Sequence, residues 1–205
     1  MTGHARYDEI YPFSMFVKVC GITNLEDGIA AVDAGARALG FVFYPPSPRG
    51  VTVESVEQFA ASLPKQVWKV GVFVDEKPEV IRAIADRIGL DIAQLHGGET
   101  PADHPAGLRI WKAFRIQDNR IPYPDYPAEA VLLDGPASGQ TFDWGIASGL
   151  SRPLILAGGL TPENVREAIE RSSPWGVDIS SGIETSPGRK DHQRMKQFIE
   201  AALRS

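Results

Sequence analysis

The chain has 205 residues, a formal net charge of −5 and a single cysteine, which is enough length for one domain with a full core. The charge gives no overall pull toward nucleic acid or an acidic membrane surface, so an anionic ligand needs local anchors. One cysteine excludes an internal disulfide and a thiolate metal cage, and no apolar run reaches the length of a transmembrane helix.

Residues 1–14 hold an acidic pair, Asp8-Glu9, and no apolar signal core. They read as an N-terminal extension ahead of one domain over 15–205, and the expected location is cytoplasmic. From there, β-branched runs alternate with amphipathic stretches. The strand candidates are 16–22, 38–43, 68–74, 92–96, 110–116, 130–135, 153–159 and 175–181. Asn24 is placed to cap a helix over 25–34 and Thr52 one over 53–62. Thr161-Pro162-Glu163-Asn164 joins a cap residue to a proline at the first helical position and leads into 163–171. Asp191, or a residue just before it, opens a helix over 191–203. The segment "QDNRIPYPDYPAEA" has prolines at 122, 124 and 127, so a loop over about 117–129 replaces one outer helix. About eight strand–helix units in this length predict a single-domain (β/α)8 barrel. An open doubly wound sheet is the alternative, but its Gly-x-Gly-x-x-Gly fingerprint after the first strand is absent.

In such a barrel, active-site groups sit at the carboxyl ends of strands and in the loops that follow. Cys20 ends the first strand, His96 the fourth and Asp134 the sixth, while Arg49 lies in the proline-rich loop after the second. Each has a bland reading. Cys20 can be a buried hydrophobe, Asp134 a turn former, His96 a hydrogen-bonded structural histidine and Arg49 a surface arginine. Their meeting on one rim is the stronger observation. Gly158-Gly159 after strand seven and Ser180-Ser181-Gly182 after strand eight suit a phosphate, because backbone N–H groups approach closely at glycine and hydroxyls add donors. Ser186-Pro187-Gly188-Arg189-Lys190-Asp191 could start the short extra helix often found there. No cluster of histidines and carboxylates supports a metal. Side chains alternate along a strand, so Lys18 shares its face with Cys20 and points into the barrel below it. A buried lysine needs a partner, and Asp178 on the neighbouring eighth strand is placed to be one.

"KVCGIT", "LGFVFYPPSPRGV", "GVFVDE", "QLHGGE", "LLDG", "FDW", "LAGGLTPENV" and "GVDISSGIETSPGRKD" together resemble the phosphoribosylanthranilate isomerases of tryptophan biosynthesis, over about residues 16–204. The resemblance implies a (β/α)8 barrel without cofactor or metal. It implies an Amadori rearrangement of N-(5-phosphoribosyl)anthranilate to 1-(2-carboxyphenylamino)-1-deoxyribulose 5-phosphate. By motif position, Cys20 falls on the general base, Asp134 on the general acid and Arg49 on the anchor of the anthranilate carboxylate. Residues 158–159 and 180–182 fall on the phosphate site, and His96 is a further substrate-binding candidate. The implied partner is this small molecule, not nucleic acid or membrane; monomer and homodimer stay open. One departure stands out: Ala137 occupies a position where a glycine is usual, which matters if the backbone there needs positive φ. Two rival readings remain. A dual-substrate isomerase shared with histidine biosynthesis would put an aspartate at position 20, and a catalytically silent binding barrel would lack Cys20, Asp134 or Arg49.

Overall fold

A computed structural model describes residues 15–123, 125–147 and 153–204; the expected N-terminal extension lies outside them. Eight strands close a parallel barrel in chain order: β1 (Phe16–Cys20), β2 (Ala38–Val42), β3 (Trp68–Phe73), β4 (Ile92–Leu95), β5 (Arg109–Arg115), β6 (Ala130–Asp134), β7 (Leu154–Leu156) and β8 (Gly176–Ile179). The helices are α1 (Leu25–Ala34), α2 (Val53–Ala60), α3 (Pro78–Ile88), α4 (Val165–Ser172) and α5 (His192–Leu203). A hairpin of β9 (Glu184–Ser186) and β10 (Arg189–Lys190) follows β8. The barrel and each predicted strand are therefore present, with ends shifted by a few residues.

The capping side chains account for where helices begin. Asn24 accepts from Asp27 N–H at 2.9 Å, Thr52 from Ser55 N–H at 3.2 Å and Asp191 from Arg194 N–H at 3.0 Å. The segment after Thr161 differs from expectation. The Thr161 N–H donates to Asn164 Oδ1 at 2.8 Å, and Asn164 Nδ2 donates back to Gly159 O at 3.0 Å. That turn contains Pro162, so α4 starts two residues later than the proline suggested.

The loop over 117–129 carries no helix among its described residues, as predicted. The trimming goes further than one crossover. Between β4 and β5 the only helical piece is a 3-10 turn, Pro101–Asp103, and the described part of the β6–β7 crossover holds another, Trp144–Ala147. On this flank the outer face of the sheet is covered by a polar–aromatic patch instead. Lys112 points outward from β5 and donates to Glu99 Oε2 and Gly97 O, both at 2.6 Å, with both charged side chains buried. Glu99 also accepts from Asp75 N–H and Gly97 N–H, each at 2.8 Å. Tyr126, 1% exposed, lies against this pair and donates to Glu99 O.

The barrel interior is a separate core of Phe16, Val70, Ile92, Trp111, Leu132 and Ile155 with small residues between. Phe16 stacks on Trp175 and meets Trp111 edge-on, which closes the amino-terminal end. Alternation then sends the next inward positions to the opposite mouth. Glu99→Gln leaves Lys112 as a buried cation without its counter-charge, and we expect a loss of about 3 kcal/mol in urea unfolding. Adding Lys112→Met to that variant should recover part of the loss.

Candidate active site at the carboxyl-terminal mouth

The mouth holds a cavity of about 460 Å³. Cys20, Arg49, His96, Asp134, Gly158, Gly159, Ser180, Ser181 and Gly182 all line it, so the catalytic and substrate-binding candidates named from sequence reach one space. Strand alternation delivers them: Phe16, Lys18 and Cys20 share the inner face of β1, and Ala130, Leu132 and Asp134 that of β6.

Cys20 is 8% exposed. Burial pushes its thiol up from the ordinary range, and the Lys18 ammonium opposes that rise. The expected Lys18–Asp178 pair is present at 2.9 Å with the lysine wholly buried, and their strands are in register at these two residues. Asp134, at the end of β6, accepts from Gly135 N–H at 2.9 Å. Its second oxygen is 3.3 Å from His96 Nε2, a distance that suits an ion pair with a protonated imidazole but is not aligned as a hydrogen bond. Four buried polar atoms on this wall have no hydrogen-bond partner among the described residues: Gln94 Oε1, His96 Nε2, Asp178 Oδ1 and Ser180 Oγ. Buried polar groups are normally satisfied, and unsatisfied ones gathered on one cavity are a mark of a binding site.

The loops after β7 and β8 shape the cavity wall with backbone. Gly158 and Gly159 have φ of +80° and +63°, and a Cβ on Gly158 would run into Gly135 N. Only glycine lets the loop after β7 come this close. Ser181–Ile183 form a 3-10 turn after β8. The segment 186–191 does not start an extra helix as expected. Pro187-Gly188 turns the chain between β9 and β10, and Lys190 is carried back under the rim. Ala137 has no positive φ; that conformation falls on Gly139, at +75°, so the methyl at 137 is accommodated.

Arg49 is not a free fork. Its Nε and Nη2 are held by Glu184 at 2.6–3.0 Å, which leaves Nη1 without a partner among the described residues. Glu184 also accepts from Lys190 Nζ at 2.8 Å, and Lys190 Nζ donates to Cys20 O at 2.7 Å. One carboxylate thus ties the arginine loop to the end of β1. Sequence reasoning passed over Glu184, Lys190, Gln94 and Arg115, all within reach of this mouth. Gln94 shares the inner face of β4 with His96, and Arg115 ends β5 in register with Asp134, so strand alternation could have found these two.

The chain matches the family model described as N-(5'phosphoribosyl)anthranilate (PRA) isomerase over residues 17–201. Among curated relatives, N-(5'-phosphoribosyl)anthranilate isomerase of Solibacter usitatus is 50% identical over 196 residues, covering 92% of this chain and 97% of the relative. The Geobacter sulfurreducens protein of the same name is 48% identical, over 91% and 97%. Two solved structures superpose closely. Phosphoribosyl anthranilate isomerase from Thermus thermophilus gives a TM-score of 0.86 at 38% identity, covering 91% of this chain and 98% of that one. A phosphoribosyl anthranilate isomerase in complex with reduced 1-(o-carboxyphenylamino)-1-deoxyribulose 5-phosphate gives 0.83 at 41%, over 92% and 98%.

Burial works against the Glu184 carboxylate, but its bonds to Arg49 and Lys190 outweigh that and hold it below its ordinary value of 4.5. A lowered carboxylate contributes stability above the unfolded-state value and loses it as pH falls through the folded-state value. Glu184→Gln should therefore cost about 2 kcal/mol at neutral pH. The gap from wild type should narrow once the pH drops below about 4.5, read by urea unfolding at a series of pH values.

Proposed function

The chain belongs to the N-(5'-phosphoribosyl)anthranilate isomerase family, and we propose that Cys20 and Asp134 are the base and the acid of its reaction. The enzyme serves tryptophan biosynthesis. It converts N-(5-phosphoribosyl)anthranilate to 1-(2-carboxyphenylamino)-1-deoxyribulose 5-phosphate. The observation that supports the assignment is the meeting of a thiol from β1 and a carboxyl from β6 over one cavity that also contains a glycine–serine anion cradle.

The chemistry asks for these groups. Asp134, protonated, gives its proton to the ribose ring oxygen. The C1–O bond breaks as the nitrogen lone pair forms C1=N, leaving a protonated Schiff base. Cys20, as thiolate, takes the C2 proton; the C–H electrons form C1=C2 and the C=N electrons return to nitrogen. The resulting enolamine gains a proton at C1 and loses one from the C2 hydroxyl, giving the ketone. Asp134 has lost a proton and Cys20 gained one, so the resting state returns when both exchange with solvent. The two groups act at different atoms of the sugar, as general acid–base catalysis requires.

Gly158, Gly159, Ser180, Ser181 and Gly182 are read as the phosphate site, and Arg49 as the contact of the anthranilate carboxylate through the edge that Glu184 leaves open. His96, 3.3 Å from Asp134, is read as a substrate contact on the acid's side. The partner is this small molecule; the net charge of −5 favours neither nucleic acid nor membrane. No helix among the described residues is long and apolar enough to cross a membrane; the location is read as cytoplasmic, where a soluble small-molecule substrate would be met. The functional domain is read as residues 15–205, with 1–14 outside it.

Cys20→Ala should lower kcat about 100- to 10,000-fold with the fold retained, and Asp134→Asn should do the same with substrate affinity little changed. Both are read by the loss of substrate fluorescence in metal-free buffer; near-normal kcat in either variant removes that residue from its role. Arg49→Ala should weaken substrate binding by about 1.5–3 kcal/mol, with Arg49→Lys recovering part. The Ki of inorganic phosphate should stay at the wild-type value; an equal weakening of phosphate would move Arg49 into the phosphate site.

A further inference from the structure

A thiol is a weak base while it keeps its proton, and an apolar, buried position makes the thiolate harder to form. Cys20 is in such a position, with Val17, Val19 and Ile22 at 0% exposure around it in the chain. Something has to offset that burial if Cys20 is to take a carbon-bound proton.

The geometry beneath it supplies a candidate. Cys20 and Gly40 are register partners on β1 and β2. A Cβ on Gly40 would lie 2.7 Å from Cys20 Sγ and 3.1 Å from Lys18 Nζ. Sulfur and ammonium therefore face one another across the space that any side chain at 40 would fill. Lys18 is 0% exposed and its ammonium is aimed by Asp178 Oδ2 at 2.9 Å. Asp178 keeps its other oxygen without a hydrogen-bond partner among the described residues, on the cavity wall.

We propose that Lys18 is a positioning residue for the base: its ammonium, held by Asp178 in the gap over Gly40, is the counter-charge of the Cys20 thiolate. The inference rests on the reading of Cys20 as the general base. The other charged groups around the sulfur are Lys190 on β10 and Arg49 after β2. Lys190 is committed to Cys20 O, Ser180 O and Glu184, and Arg49 to Glu184. Lys18 alone shares the gap with the sulfur and has a single carboxylate oxygen to share itself with. Asp178 then has two opposed effects. It keeps Lys18 charged in a buried place, and it competes with the thiolate for that charge.

This competition gives the test an unusual sign. The chain has one cysteine, so the rate of iodoacetamide alkylation, and the ultraviolet thiolate absorbance left after subtracting a Cys20→Ala control, both titrate Cys20. Asp178→Asn removes a repelling charge and releases Lys18 toward sulfur; the midpoint should fall by about one pH unit. Lys18→Met should raise it by a similar amount. Gly40→Ala keeps both charges but puts a methyl between them, and it too should raise the midpoint. The acid limb of kcat/KM should move with the thiol in each active variant.

A pair that only fills the barrel predicts something else: lower melting temperatures and an unmoved thiol. That result, or a midpoint that rises in Asp178→Asn, overturns the inference. If the two charge variants do not fold, Gly40→Ala decides, and an unchanged thiol there overturns it. Failure of the functional reading looks different, since it appears as absent isomerase turnover in the wild type whatever the thiol titration shows.

Discussion

The first strand and the last must meet for a barrel to exist, and here they meet at a buried charge. Lys18 and Asp178 are register neighbours across the β1–β8 seam, bonded at 2.9 Å with the lysine wholly enclosed. Taking such a pair out of water is costly, and a hydrophobic replacement could serve the core as well. Its position suggests what it adds. Two residues further along the same faces are Cys20 and Ser180, so the seam that closes the sheet also sets the height and facing of the proposed base and of the loop proposed to hold phosphate.

A second cluster works at right angles to the first. Glu184 accepts from Arg49, Lys190 and the Gly188 N–H. Lys190 in turn donates to the carbonyls of Cys20 and Ser180. The loop after β2, the end of β1 and the turn after β8 are thereby fastened to one carboxylate. Rim loops are ordinarily the mobile part of a barrel. Fastened in this way, Arg49 and the backbone after β8 keep a set spacing, which the proposed reading of them as anchors for a carboxylate and a phosphate requires.

Much of this was legible in the chain itself. β-branched runs bounded by glycine and proline mark the strands, and Asn24, Thr52 and Asp191 mark helix starts by the donors they accept. Alternation along β1 was enough to foresee Lys18 beneath Cys20 and its partner on β8. What stayed hidden was pairing without a local signal. Arg49 and Glu184 are 135 positions apart, and nothing near either names the other. Ser186–Asp191 has the composition of a helix start, but Pro187-Gly188 turns it into a hairpin whose purpose, the return of Lys190, only the closed barrel reveals. The three prolines after β5 announce a missing helix; they do not announce that Lys112, Glu99 and Tyr126 cover the exposed sheet in its place.

Among the described residues the crossovers without an α-helix are consecutive, from β4 to β7, while α1, α2, α3, α4 and α5 cover the remaining strands. Cys20 and the loops after β7 and β8 therefore stand over helix-backed wall, and Asp134 stands over wall faced with irregular chain. Lengthening an irregular connection costs little, about 0.6 kcal/mol for each doubling of a flexible loop, whereas a helix accepts additions only by whole turns that keep its buried stripe in phase. Insertions and deletions accumulated over descent should thus concentrate between residues 96 and 153. The half of the barrel that carries Cys20 would keep its length, and the half that carries Asp134 would be where related chains grow and shrink.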